Sequence, residues 1–255
     1  MAGVLKDRTG EVSYTKNGTP AIIVEYVDSK NALIEFQDKY KYQYRTSYYN
    51  FKNGHMTNPY ECRNAGGIGF IGVGKYNTKD HIEAYLKWKR IIDRCRNDKN
   101  RKYSEESYMD CTICEDWKNF QEFADWYYNN LYDFNGVLCV DKDILVHGNT
   151  IYSPKTCLIV PERINLLFIK EKARRGNLPI GVQYSSNGEK YSAWLSLSGK
   201  DRCKYLGTYN TVDEAFSVYK NKKEEFIKRI ANEYKSIIPK VVYDALCNYE
   251  VLITD

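Results

Sequence analysis

A chain of 255 residues with 43% hydrophobic, 28% charged and 15% aromatic residues carries no disorder signature and is long enough for two or three small domains. No apolar run reaches the roughly 20 residues that a membrane-spanning helix needs, and the start, MAGVLKDRTGEV, lacks the apolar core of a signal peptide, so the cytoplasm is the expected place. Eight irregularly spaced cysteines are then expected as reduced thiols, and a formal net charge of +5 only mildly favours an anionic partner.

Residues 1–75 read as a β-rich domain. AIIVEYV, NALIEFQD and YKYQYRTSYYNF cluster β-branched and aromatic residues between turn formers, and KNG recurs at Lys16–Gly18 and Lys52–Gly54 where turns are expected. A small barrel or curled sheet follows. Lys39 to Tyr49 interleaves tyrosines with cations, which suits a nucleic-acid face or a protein interface equally. GGIGFIGVG, Gly66 to Gly74, has the glycine spacing of a dinucleotide-binding loop, but polar KYNTKD follows where a helix must start at once, so a connector between domains is expected.

Residues 76–172 form the expected central domain. From Thr78 the period becomes helical, with Ile82, Tyr85, Leu86, Ile92 and Cys95 on one stripe. A second helix has Phe120, Phe123, Ala124 and Tyr127 as its apolar face. Cys111 and Cys114, in CTIC, are half of a zinc site for which Cys139, His147 and Cys157 are the nearby ligand candidates; packed free thiols are the stronger reading. VDKDILVHGNTIYSPKTC, Val140 to Cys157, and then PERINLLFIKEKA run in the order strand, loop, strand, helix. The cluster KEKARRG contains Arg174 and Arg175, read either as a solvated linker or as phosphate contacts.

Residues 177–255 read as sheet plus helix. IGVQYS, KYSAWLSL and RCKYLGTY, separated by SNGE and SGKD, make a three-stranded meander. A helix follows, capped by Thr211 with Glu214 completing a capping box and with Ala215, Tyr219, Phe226, Ile230 and Tyr234 along one line; Pro239 opens a last short helix.

IGVQY, KYSAWLSL and KYLGTYNTVDEA resemble the ethylene-response-factor type of DNA-binding domain, which also occurs fused to phage homing endonucleases. The resemblance implies that the helix supports the sheet while the other sheet face enters the major groove. The DNA-facing residues would be Gln183, Trp194, Ser196, Cys203 and Tyr205, with Lys190, Lys200, Arg202 and Lys204 near enough for phosphates. The arginines that read guanine in plant members are missing here, which points to double-stranded DNA held with little sequence preference, or to a protein-interaction sheet with a Trp-Tyr patch.

Beside this unit, Val140 to Asn165 resembles the HNH motif of phage homing enzymes. That resemblance implies one divalent cation, magnesium or manganese, held by Asp141 and Asn165, with Asn149 at the loop position. At the general-base position stands Lys142. A lysine beside a carboxylate stays protonated, so the site suits holding a phosphate better than activating water. Asp143 and His147 are the alternative catalytic groups. Each residue also has a structural reading: Asp141 capping a turn, Asn149 turning with Gly148, and Asn165 exposed on a helix.

The expected architecture is therefore α+β, in three small modules: a barrel-like β-rich domain, an HNH-like ββα unit with flanking helices, and a three-stranded sheet with helices. The expected protein is a phage-type HNH endonuclease relative that binds DNA in the cytoplasm of an infected bacterial cell and nicks it if the metal site is live. The alternative is a catalytically inactive phage protein that uses the same scaffold to bind a host protein or nucleoprotein complex, such as an anti-phage defence system. Oligomeric state is not legible.

Overall fold

A computed structural model describes residues 6–96, 110–169, 177–196 and 203–255. It is a mixed helix and strand protein, α+β as expected, and it divides into two compact units, Met1–Lys75 and Tyr76–Asp255. Among the described residues no helix is long and apolar enough to cross a membrane.

The first unit is an antiparallel meander of β1 (Val12–Tyr14), β2 (Pro20–Asp28), β3 (Asn31–Phe36) and β4 (Gln43–Thr46), followed by the short helix α1 (Tyr48–Lys52). The sheet is open, not a closed barrel: the strands lie in the order β1-β2-β3-β4, with β1 and β4 at the edges. Strand alternation turns Ala21, Ile23, Ala32, Ile34 and Phe36 into a core that Phe51 and Met56 complete. Tyr42 and Tyr44 stack on Phe36 with centroids 6.4 and 5.9 Å away, so these two tyrosines of the interleaved stretch serve packing, while Tyr49 is exposed. The glycine-rich stretch also belongs to this unit. Its Phe70 is buried against the stacked rings of Tyr40 and Tyr60.

In the second unit α2 (Ile82–Arg94) packs on α3 (Phe120–Asn130). Phe120, Phe123, Ala124 and Tyr127 are buried as their spacing predicts. Ile92 and Cys95 of the read stripe are buried, but Ala84, Trp88 and Ile91 fill the rest of the buried side of α2, while Ile82 and Leu86 are half exposed. The reason is Trp88: its indole Nε1 donates to the carbonyl of Trp117 at 2.7 Å, which fixes the helix rotation. A buried indole N–H must find an acceptor, and this one sets the face.

The region read as HNH-like keeps the order strand, loop, strand, helix but contains one strand more. Strand β6 (Leu138–Asp141) pairs antiparallel with β8 (Leu158–Pro161), not with the strand just after the loop. That intervening strand, β7 (Ile151–Tyr152), pairs in parallel with β5 (Thr112–Ile113). Of the helix read in PERINLLFIKEKA, the described part forms α4 (Glu162–Asn165) and a 3₁₀ turn, Leu166–Phe168, and residues 170–173 lie outside the described residues.

The C-terminal sheet contains β9 (Val182–Tyr184), β10 (Tyr191–Ser196) and β11 (Cys203–Tyr209), in the order β11-β10-β9. Helix α5 (Val212–Glu233) lies across it, and α6 (Lys240–Cys247) follows Pro239. The capping box forms: Glu214 N donates to Thr211 Oγ1 at 3.2 Å, and Thr211 N donates to Glu214 Oε2 at 3.2 Å. Ile144, Leu158, Val160, Ile164 and Leu167 share one core with Val182, Ala193, Leu195 and the α5 face. The regions expected as separate central and C-terminal modules are thus joined through a common apolar interior.

Candidate functional site

The HNH-like loop is built around two short tethers. Asp141, at the end of β6 and 7% exposed, accepts on Oδ1 from the backbone N–H groups of Asp143 at 2.9 Å and Ile144 at 2.8 Å. This is a side-chain-capped turn, one of the structural readings above. Burial, with help from the Asp143 charge, pushes the Asp141 carboxyl up to about 6 against those two N–H groups and Lys142.

Lys142 points inward. Its ammonium donates to Asp143 Oδ1 at 2.7 Å and to the Asn149 carbonyl at 2.8 Å. Burial pulls its pKa down, but the charge and hydrogen bond of Asp143, with smaller help from Cys111 and Asp141, outweigh that pull and hold it above its ordinary value. The residue at the general-base position is therefore a protonated, engaged cation.

Asn149 closes the loop from the other side: its Nδ2 donates to the carbonyls of Lys142 at 2.9 Å and Ile151 at 2.8 Å. Gly148 precedes it at φ +69°, the left-handed turn geometry that glycine adopts without strain. His147 leaves the loop. Its Nε2 lies 2.5 Å from Asp255 Oδ1, and its ring lies beside Tyr249. The ring read as an alternative catalytic group is thus engaged with Asp255. Asn165 is half buried on α4, which starts where Glu162 N donates to the Val137 carbonyl at 2.9 Å. In the strand register Pro161, the residue before that start, lies opposite Leu138, about 10 Å of strand from Asp141.

These donors do not fit a resident magnesium or manganese ion. One Asp141 oxygen is engaged as a turn cap, a buried ammonium stands next in the chain, and among the described residues no group of three His, Cys, Asp or Glu is gathered to hold a metal. No ligand set for zinc is gathered among the described residues either. Burial raises the Cys114 thiol and pushes Cys157 up to about 12, as it does for packed free thiols.

The C-terminal sheet brings a second set together. Ala193 and Leu195 point to α5, so alternation places Ser192, Trp194 and Ser196 on the opposite face. Their register partners on that face are Gln183 and Thr208 for Ser192, Tyr205 for Trp194, and Cys203 for Ser196. A bulge at Leu206 keeps Tyr205 opposite Trp194, with the ring centroids 5.1 Å apart. Tyr205 and Ser192 share hydrogen bonds with Thr208 Oγ1 at 2.7 and 3.1 Å. All five residues carried over from the DNA-binding resemblance therefore share one surface. Lys190 is exposed in the β9–β10 turn, and Lys204, also exposed, pairs with inward-facing Leu195 and starts from the other face. Arg174, Arg175, Lys200 and Arg202 lie outside the described residues.

Sequence reasoning missed Asp255 as the partner of His147, 108 residues away, and no local signal marks it. It also passed over Lys223. That residue continues the Ala215–Tyr219 line by one helical turn, and a lysine on an apolar stripe was a visible anomaly. No family model matches the chain, and no curated protein or solved structure matches it either.

Proposed function

We propose that this protein is a DNA-binding relative of the HNH homing enzymes whose HNH-like loop holds the fold and does not cut. The observation that supports the first half is the shared sheet face of Gln183, Trp194, Ser196, Cys203 and Tyr205, opposite the supporting helix. The two outward aromatic rings offer contact area, and Lys190 offers a phosphate contact at the sheet margin. With no guanidinium on that face among the described residues, binding follows the phosphate backbone and depends steeply on salt.

The second half is supported by Lys142 and Asp141. A hydrolytic site needs a group that takes a proton from water, and the ammonium of Lys142 has none to accept with while it is bound to Asp143 and Asn149.

A protein partner is the second reading. It is favoured by the 51% exposure of Tyr205 beside Trp194, an aromatic pair of the kind that protein interfaces share. That partner would be a host protein or nucleoprotein complex.

The test combines duplex binding by fluorescence anisotropy across a salt series with nicking of supercoiled plasmid in manganese. Salt-steep binding without nicking is expected. Metal-dependent nicking that disappears in Asp141→Ala would overturn the silent-loop reading. Absence of DNA binding, with a defined assembly on a host protein, would replace the DNA reading by the second one.

A further inference from the structure

Three cross-strand rows make up the outward face of the C-terminal sheet: Gln183, Ser192 and Thr208; Trp194 and Tyr205; Ser196 and Cys203. Successive rows lie about 6.6 Å apart along the strands, close to two base-pair steps of about 3.4 Å each. Gln183 and the Trp194–Tyr205 row therefore meet different base pairs of a duplex laid on this face.

The rows also differ in chemistry. The hydroxyls of Ser192, Thr208 and Tyr205 are joined in one chain, with Thr208 Oγ1 3.1 Å from Ser192 Oγ and 2.7 Å from Tyr205 Oη. That chain holds the Tyr205 ring in place beside Trp194, with the centroids 5.1 Å apart. Gln183 is exposed, and its carboxamide has no hydrogen-bond partner among the described residues, so both its donor and its acceptor are open to a ligand. Among the described residues of β9, β10 and β11 the single charged side chain is that of Lys204, which pairs with inward-facing Leu195 and starts from the helix side.

This set of groups matches one kind of base pair better than the other. In the major groove a G·C pair offers two acceptors on guanine, met best by arginine or lysine, and an amino donor on cytosine, met best by a carboxylate. The strands present none of these outward. An A·T pair offers N7 and N6 of adenine, which the two ends of a carboxamide match, and the thymine methyl, which takes an apolar contact. Gln183 supplies the first, and the Trp194 and Tyr205 rings supply the second.

We propose that this face prefers A·T over G·C base pairs, with Gln183 as the specificity-determining residue on adenine and the Trp194–Tyr205 row against thymine methyls; the inference rests on the duplex-binding reading. Phosphate contacts such as that of Lys190 hold either duplex, and the base preference is added to them. One good bidentate pair separates right from wrong bases by about tenfold, which sets the expected size of the preference.

The experiment measures fluorescence anisotropy of the full chain on two duplexes of equal length, one of A·T pairs and one of G·C pairs, at a single salt concentration. The A·T duplex should bind about tenfold more tightly. Replacing adenine with 7-deazaadenine removes the major-groove N7 acceptor and leaves the minor groove as it was, so it should erase most of that advantage. Gln183→Ala should do the same, and Gln183→Arg should turn the preference toward G·C. Gln183 is exposed, and wild-type denaturant midpoints for both variants would show that their fold is kept. Equal wild-type affinity for the two duplexes would overturn the preference and leave DNA binding standing. Affinity for neither would overturn the duplex-binding reading together with the preference. An A·T advantage that survives both 7-deazaadenine and Gln183→Ala would place the readout in the minor groove and overturn the role of Gln183.

Discussion

Lys142 and Asn149 grip each other twice: the Lys142 ammonium donates to the Asn149 carbonyl at 2.8 Å, and the Asn149 amide donates back to the Lys142 carbonyl at 2.9 Å. The pair closes the loop of residues 142–149, whose other walls are the Asp141 turn and the Lys142–Asp143 ion pair. Removing the cation strands the Asn149 carbonyl and the Asp143 carboxylate together. Lys142→Met is expected to destabilise by about 2–4 kcal/mol and Asn149→Ala by about 1–3 kcal/mol. Because both act on one closure, the double variant should lose less than the two single losses added, by about 1 kcal/mol or more. Urea denaturation of the four proteins checks this, and strict additivity would mean that the two residues stabilise separate features.

Asp141 gives a pH signature. Its folded-state pKa of about 6 lies above its ordinary value of 3.8, so the folded chain binds this proton more tightly than the unfolded chain. The favourable contribution is complete below about 4 and is lost as pH rises toward 6. Asp141→Asn keeps an oxygen for the N–H groups of Asp143 and Ile144 and removes the titration. The stability of the variant relative to wild type should therefore rise between pH 4 and 6, by on the order of 2–3 kcal/mol. Denaturant midpoints across that window measure it, and a flat difference would show that Asp141 ionises freely in the fold.

Lys223 carries the opposite sign. Its pKa falls on folding from 10.5 to about 8, so the unfolded chain holds the extra proton, and wild-type stability gains a rising contribution between those values. Tyr219, Tyr249 and Asp255 line a small pocket together with Lys223, which makes the difference from a variant the cleaner observable. The advantage of Lys223→Met over wild type should narrow by on the order of 3 kcal/mol from pH 8 to 10.5. A difference that does not change with pH would mean an amine that remains solvated.

How much of this was legible in the sequence depended on how local each determinant is. Thr211 and Glu214 stand three residues apart and form their capping box as read, and the i, i+3, i+4 spacing of Phe120, Phe123, Ala124 and Tyr127 gave the buried face of α3. The grouping of Trp194 with Ser196 and Tyr205 came from the family resemblance, and the strand register places the three on one face. Where a distant partner decides, the pattern misled. The Trp88 indole turned α2 away from its Ile82 and Leu86 side, β6 passed over its sequence neighbour β7 to pair with β8, and His147 went to Asp255. At Lys142 the residue type alone excluded an easy general base. Which groups hold its ammonium required the folded loop.

Trp194 and Lys190 separate the two components of the proposed DNA contact. Trp194 lies at the middle of the outward face, packed on Tyr205, and carries no charge, so its removal takes away contact area and leaves the counterion balance intact. Lys190 stands exposed in the β9–β10 turn, where a phosphate contact would displace one counterion. Trp194→Ala should weaken duplex binding about tenfold at every salt concentration, leaving the slope of log affinity against log salt unchanged. Lys190→Ala should lower the magnitude of that slope by about 1 and affect all duplex sequences alike. Neither side chain belongs to the core that α5 covers, so both variants should unfold at the wild-type denaturant midpoint. Anisotropy titrations at several salt concentrations distinguish the two effects. An unchanged slope for Lys190→Ala would move the phosphate contacts elsewhere on the chain, and unchanged affinity for Trp194→Ala would remove this sheet face from the DNA interface.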